Sequence, residues 1–177
     1  MLAPLLGIRD QAVLVRVVDL GIALQLSNVL LGVAADARRD RVYLPASLLA
    51  RHQLSQADVL GGASHAQLRP ALEELAALAG VYYRSAEAAA ARVPFRYRHG
   101  ILLLGRLYGG MGRAAAARPS APTTPAGLGL GIRAWRLVEL AALALHPAIL
   151  GLTREPPHDP ALHRAIAGWP GTDPAAG

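Results

Sequence analysis

The chain contains no cysteine, which excludes disulfides and thiolate metal sites outright. It also contains no lysine, so all 18 basic residues are arginine. Together with the abundance of alanine, glycine and proline, this reads as a bias toward GC-rich codons rather than selection for arginine chemistry. Aromatic residues make up only 5% and the arginines are scattered over several segments, so the sequence does not support a nucleic-acid partner. The six histidines are scattered too, and none pairs with another at helical metal-ligand spacing: His158 and His163 stand five apart in a Pro-rich stretch. Zinc chemistry is not expected on that spacing. The first ten residues, MLAPLLGIRD, are too short and too soon charged for a secretory signal. The greasiest stretches are interrupted by Arg16 and Asp19, or by Arg133, Arg136 and Glu139, so neither gives the uncharged run of about 20 residues expected of a membrane helix. The default placement is cytoplasmic.

What is present is apolar. Hydrophobic residues reach 53% against 17% charged, with a mean hydropathy of +0.31. Such a balance implies close helix packing, an apolar ligand cavity, or a face that meets a membrane or a partner protein. The net charge of +6 suits contact with diphosphates or with anionic lipid at the inner face of the membrane. A length of 177 residues suits one domain.

Apolar runs at helical period with Pro/Gly punctuation, and no alternating strand pattern, predict an all-α fold without β-sheet. A long helix is expected over 11–36, buried on most sides. After it comes a connector over 41–62, in which Pro45 opens a short helical turn and Ser55 with Asp58 forms a capping signature. Further helices are expected over 70–92, with Pro70 in the first turn, over 95–118, and over 132–145. Residues 1–150 read as one helical domain and 151–177 as a Pro-rich, poorly ordered tail.

The most informative run is LGIALQLSNVLLGVAADARRDRVYLP, from Leu20 to Pro45. On a helix, Asn28, Gly32 and Asp36 recur every four residues and stack on one face. Two carboxylates so spaced can hold magnesium against a diphosphate, because they project from consecutive turns. Here Asp36 supplies one carboxylate, Asn28 a neutral oxygen, and Gly32 nothing. Asp40, four residues further on, falls in the arginine-rich DARRDR stretch and reads better as a solvated, locally paired carboxylate.

The run resembles the second aspartate-rich motif of the squalene/phytoene synthase family, Q-L-x-N-x-x-R-D-x-x-x-D followed by R-x-Y-L-P. Gln25, Asn28, Asp36, Arg41, Tyr43, Leu44 and Pro45 match it; Leu31 and Gly32 stand where the family has an arginine and its first aspartate. The resemblance continues through VYYRSAEAAAARVPFRYRHGILLLGRLYGGMGR, similar to the family's next long helices with a tyrosine, here Tyr108, ahead of an M-G pair, and more loosely to GIRAWRL, ending near residue 146. It implies an isoprenoid-synthase helical bundle with a deep apolar cavity, and magnesium-dependent head-to-head joining of two geranylgeranyl diphosphates in carotenoid synthesis. It further implies metal ligation by Asn28 and Asp36, substrate contacts from Gln25, Arg41 and Tyr43, and a carbocation-stabilising role for Tyr108. The family's first aspartate-rich motif has no counterpart in this chain, so an N-terminally truncated chain with impaired or no activity alone is expected.

Each of these residues has a plainer reading beside the functional one. Asp36 could pair with Arg38 or Arg39, Asn28 and Gln25 could make ordinary interhelical hydrogen bonds, Tyr108 could be a packing aromatic, and Tyr43 could anchor the connector. The alternative function is a non-catalytic relative that binds a prenyl lipid, a membrane surface or a partner protein covering the apolar face.

Overall fold

The computed structural model describes residues 10–118, 146–147, 149–150, 152 and 156–166. These contain helices and no strand. The helix expected over 132–145 lies outside the described residues, as does most of the segment beyond 151.

Helix α1 (Gln11–Ala37) starts where the Asp10 side chain accepts a hydrogen bond from the Ala12 amide, and Arg92 pairs with the same carboxylate. It ends where the Asp36 carbonyl accepts from the Arg39 and Arg41 amides, at 2.8 and 3.0 Å. The reversal passes through Asp40 at φ 55, a left-handed conformation that short polar residues tolerate. Leu44 is buried and anchors the connector, whereas Tyr43 is 56% exposed.

Pro45 caps α2 (Ala46–Arg51), and a reciprocal Ser55/Asp58 capping box opens α3 (Gln56–Leu60). Helix α4 (His65–Ala88) begins five residues before Pro70, because Ser64 and Gln67 form a second capping box. A 3₁₀ turn (Ala90–Arg92) leads to Pro94, which caps α5 (Phe95–Ala117).

Helices α1, α4 and α5 pack on one another. Their largest core joins Leu30 of α1, Leu44, Leu48 and Leu49 of the connector, Val59 of α3, Leu68, Leu72 and Leu75 of α4, and Ala116 of α5. A second core sets Ala23, Ala79 and Tyr83 together, with Tyr108 half-buried against them. There α5 comes close to both neighbours: a Cβ on Gly109 would stand 3.1 Å from the Tyr83 ring of α4, and one on Gly112 3.3 Å from Ser27 Oγ and from Leu30 of α1. The Tyr83 hydroxyl and Ser27 Oγ form a buried hydrogen bond of 2.9 Å.

Within the stretch expected to be poorly ordered, residues 156–166 fold back on the bundle and end in a 3₁₀ helix (Pro160–Ile166). Tyr82 of α4 donates to the Leu162 carbonyl at 2.8 Å, and Arg16 of α1 donates to the Pro156 carbonyl. Proline-rich sequence lacks amide donors of its own, so these side-chain contacts supply the anchorage that a backbone ladder would otherwise give.

Candidate functional site

The two long sides of α1 differ. Val13, Arg16, Ala23, Ser27 and Leu30 are buried against α4 and α5, whereas Gly21, Gln25 and Asn28 are exposed. At about 100° per residue, Ala23 and Asn28 are about 140° apart around the axis. The motif residues therefore lie away from the packed core, with Gln25 and Asn28 exposed and Gly32 and Asp36 half-buried.

Asp36 uses the space that Gly32 leaves. An ideal Cβ on Gly32 would fall 2.5 Å from Asp36 Oδ2, closer than any real side chain could stand. Helical side chains tilt toward the N-terminus, so the residue four positions on is the one that covers a missing Cβ. Asp36 makes no ion pair among the described residues, neither with Arg38 nor with Arg39. Its neighbours are instead Val29, Val33, Arg41 and Tyr43, which line a crevice of about 10 Å³ at the end of α1.

The fold thus gathers three of the six candidate site residues, Asp36, Arg41 and Tyr43, at one end of α1. Asn28 and Gln25 stand two and three turns further up the same side. Tyr108 does not join them. It sits on α5 beside Tyr83, on the packed side of α1. Burial, opposed by the Ser27 hydrogen bond, pushes the Tyr83 hydroxyl above its ordinary value of 10.0.

The motif side of α1 therefore presents one carboxylate, one carboxamide and one glycine along the i, i+4, i+8 line. A magnesium-held diphosphate draws on carboxylates directed outward at the ion. With Asp36 lying back over Gly32, the residues present do not fit that group unaided.

A larger cavity of about 380 Å³ opens on the other side of α1, lined by Leu30, Ala34, Val59, Leu68 and Leu72, with Arg38 and Arg118 at its edge. It is apolar and is separated from Asn28 and Asp36 by the helix itself.

Sequence spacing missed one polar cluster. Asp19 is fully buried and accepts from Ser85 at 2.5 Å, and the imidazoles of His158 and His163 approach it at 3.0 and 2.6 Å. Arg16 donates to the Ser85 hydroxyl and carbonyl at 3.1 and 3.0 Å. A guanidinium and a carboxylate three residues apart in a greasy helix were the available signal, since buried charges require partners.

Comparison with known proteins agrees with the motif. The family model described as squalene/phytoene synthase matches residues 1–138. The chain belongs to the squalene/phytoene synthase family. It is 35% identical to the 15-cis-phytoene synthase of Enterobacter agglomerans over 108 residues, 61% of this chain and 37% of that protein. It is likewise 35% identical to the 15-cis-phytoene synthase of Pantoea ananas over 108 residues, 61% of this chain and 35% of that protein. To the phytoene synthase of Rhodobacter capsulatus it is 28% identical over 155 residues, 86% of this chain and 46% of that protein. The chain thus spans between a third and a half of the length of these relatives. No solved structure matches it.

Proposed function

We propose that this chain is the part of a phytoene synthase-type protein that presents the second aspartate-rich motif to a prenyl diphosphate, and that these 177 residues alone do not join two prenyl diphosphates. The observation that carries this reading is the Gly32–Asp36 arrangement on the exposed side of α1. The side carries the residues that the motif resemblance assigns to the metal, but it has no carboxylate at Gly32 and no arginine at Leu31. Loss of one preorganised electrostatic contact typically costs about 3 kcal/mol of transition-state stabilisation, and two such contacts are gone. The direct test incubates the purified chain with geranylgeranyl or farnesyl diphosphate and magnesium and extracts the hydrocarbon products. No phytoene or squalene above a no-enzyme control is expected; product formation would overturn the reading.

One observation favours a second reading, that of a non-catalytic relative whose motif side meets a membrane. Helix α1 carries an 18-residue window of mean hydropathy 1.8, of which only 22% is buried, so by length and composition it could cross a bilayer. Arg16 and Asp19 are both buried within it and engaged through Ser85, which is the pattern of a core helix with one side left open. Co-sedimentation with anionic vesicles separates the two readings: salt-sensitive binding without prenyl diphosphate affinity supports the membrane role.

A further inference from the structure

Asp19, His158 and His163 come from positions 139 and 144 residues apart in sequence, yet their ligand atoms all lie within 4.8 Å of one another. All three side chains are more than nine-tenths buried: Asp19 is 0% exposed, His163 3% and His158 8%. Each imidazole turns Nε2 toward a different carboxylate oxygen, His163 to Oδ1 and His158 to Oδ2. The two rings stand 4.8 Å apart at 46°, so neither blocks the other's approach to a common point. We propose that these three residues form a divalent transition-metal site of the zinc class, which staples residues 156–166 to α1.

The donor set chooses the metal. Two imidazoles and one carboxylate suit zinc, cobalt or nickel, whereas magnesium prefers oxygen donors alone. The site is therefore separate in chemistry from the diphosphate-facing motif, and it lies on the buried rather than the exposed side of α1. Zinc bonds of about 2.0–2.1 Å place tetrahedral ligand atoms roughly 3.3 Å apart. The observed nitrogen–oxygen separations of 2.6 and 3.0 Å open to that value by well under 1 Å, and the widest spacing in the set, within 4.8 Å, closes to it by about 1.5 Å through side-chain rotation. Three protein ligands leave a fourth position for water. Ser85, donating to Asp19 Oδ2 at 2.5 Å, fixes the carboxylate's orientation from outside the ligand set.

The two histidines are not equivalent. A ring that ligates through Nε2 carries its proton on Nδ1, and that proton needs an acceptor. His158 Nδ1 is buried without a hydrogen-bond partner among the described residues. His158 is thus the weaker ligand, and His163, with the shorter approach to Asp19, is the stronger.

The test uses the complete 177-residue chain, stripped with a chelator and titrated with Zn²⁺ by calorimetry and with Co²⁺ by visible absorption. One ion per chain and an intense tetrahedral cobalt band are expected. His163→Ala and Asp19→Asn should weaken binding by 100-fold or more, and His158→Ala by roughly tenfold. His52→Ala, which alters a surface histidine paired with Glu74, should leave binding unchanged. Should a variant fail to fold by circular dichroism, the wild-type cobalt spectrum decides. Absence of one-to-one uptake, a weak octahedral-type spectrum, or uptake indifferent to Asp19 and His163 would overturn the proposal and leave a hydrogen-bonded clasp only.

Discussion

The Asp36 carboxylate occupies the space a Gly32 side chain would need, 2.5 Å from where its Cβ would stand. The two positions are thus coupled: any side chain at 32 must move the Asp36 carboxylate from its present place. The carboxylate one turn on lies against the helix, over the glycine.

The glycines of α5 give a first prediction, because two of them sit in opposite surroundings. Gly100 has nothing within 4 Å of its would-be Cβ among the described residues, so Gly100→Ala should stabilise the fold by about 0.8–1 kcal/mol through helix propensity. Gly109 faces the Tyr83 ring at 3.1 Å, and that ring is buried and tied to Ser27. Gly109→Ala should therefore destabilise by about 1–3 kcal/mol despite the same propensity gain. Urea unfolding of the two variants checks the sign of each.

Alkaline pH gives a second. With neither lysine nor cysteine present, tyrosines are the side chains that titrate near pH 10. Burial raises Tyr83, and burial together with the Asp19 charge raises Tyr82. Both groups hold their protons more tightly folded than unfolded, so their contribution is fully present below pH 10.0 and is lost as pH rises through the folded values. Tm should fall above pH 10, and Tyr82→Phe/Tyr83→Phe should flatten that fall while lowering Tm at neutral pH by removing the Ser27 and Leu162 hydrogen bonds.

A third concerns helix starts. Ser64→Ala removes one half of the capping box that opens α4 and should cost about 1 kcal/mol. Thermal unfolding measured by circular dichroism checks it, with Ser47→Ala, an exposed position inside α2, as the comparison.

Much of this fold is legible in the sequence because its signals are local. The limits of α1 and α5 follow from apolar period, Pro94 and the DARRDR break, and the Ser55/Asp58 box is visible as a spacing. The start of α4 is not, because Pro70 is the louder signal while Ser64 and Gln67 set the boundary. Asp36, Arg41 and Tyr43 line one crevice because they are close in the chain. The motif does not reveal that Asp36 folds over Gly32, which is a matter of rotamer and vacant volume. The Asp19–His158–His163 cluster is illegible for a different reason: its members have no common period, and only tertiary folding brings them together.

The central claim, that the exposed side of α1 is a prenyl diphosphate side disabled at Leu31 and Gly32, is tested most directly by putting back what it lacks. In Leu31→Arg/Gly32→Asp, the new side chain at 32 must displace the Asp36 carboxylate, which is half-buried and makes no ion pair among the described residues, and so place an i, i+4 carboxylate pair beside a diphosphate donor. The measurement is calorimetry of farnesyl diphosphate binding with and without magnesium, on parent and variant side by side. The account predicts magnesium-dependent binding at least tenfold tighter in the variant than in the parent. Equal, magnesium-indifferent binding by the two proteins would contradict it.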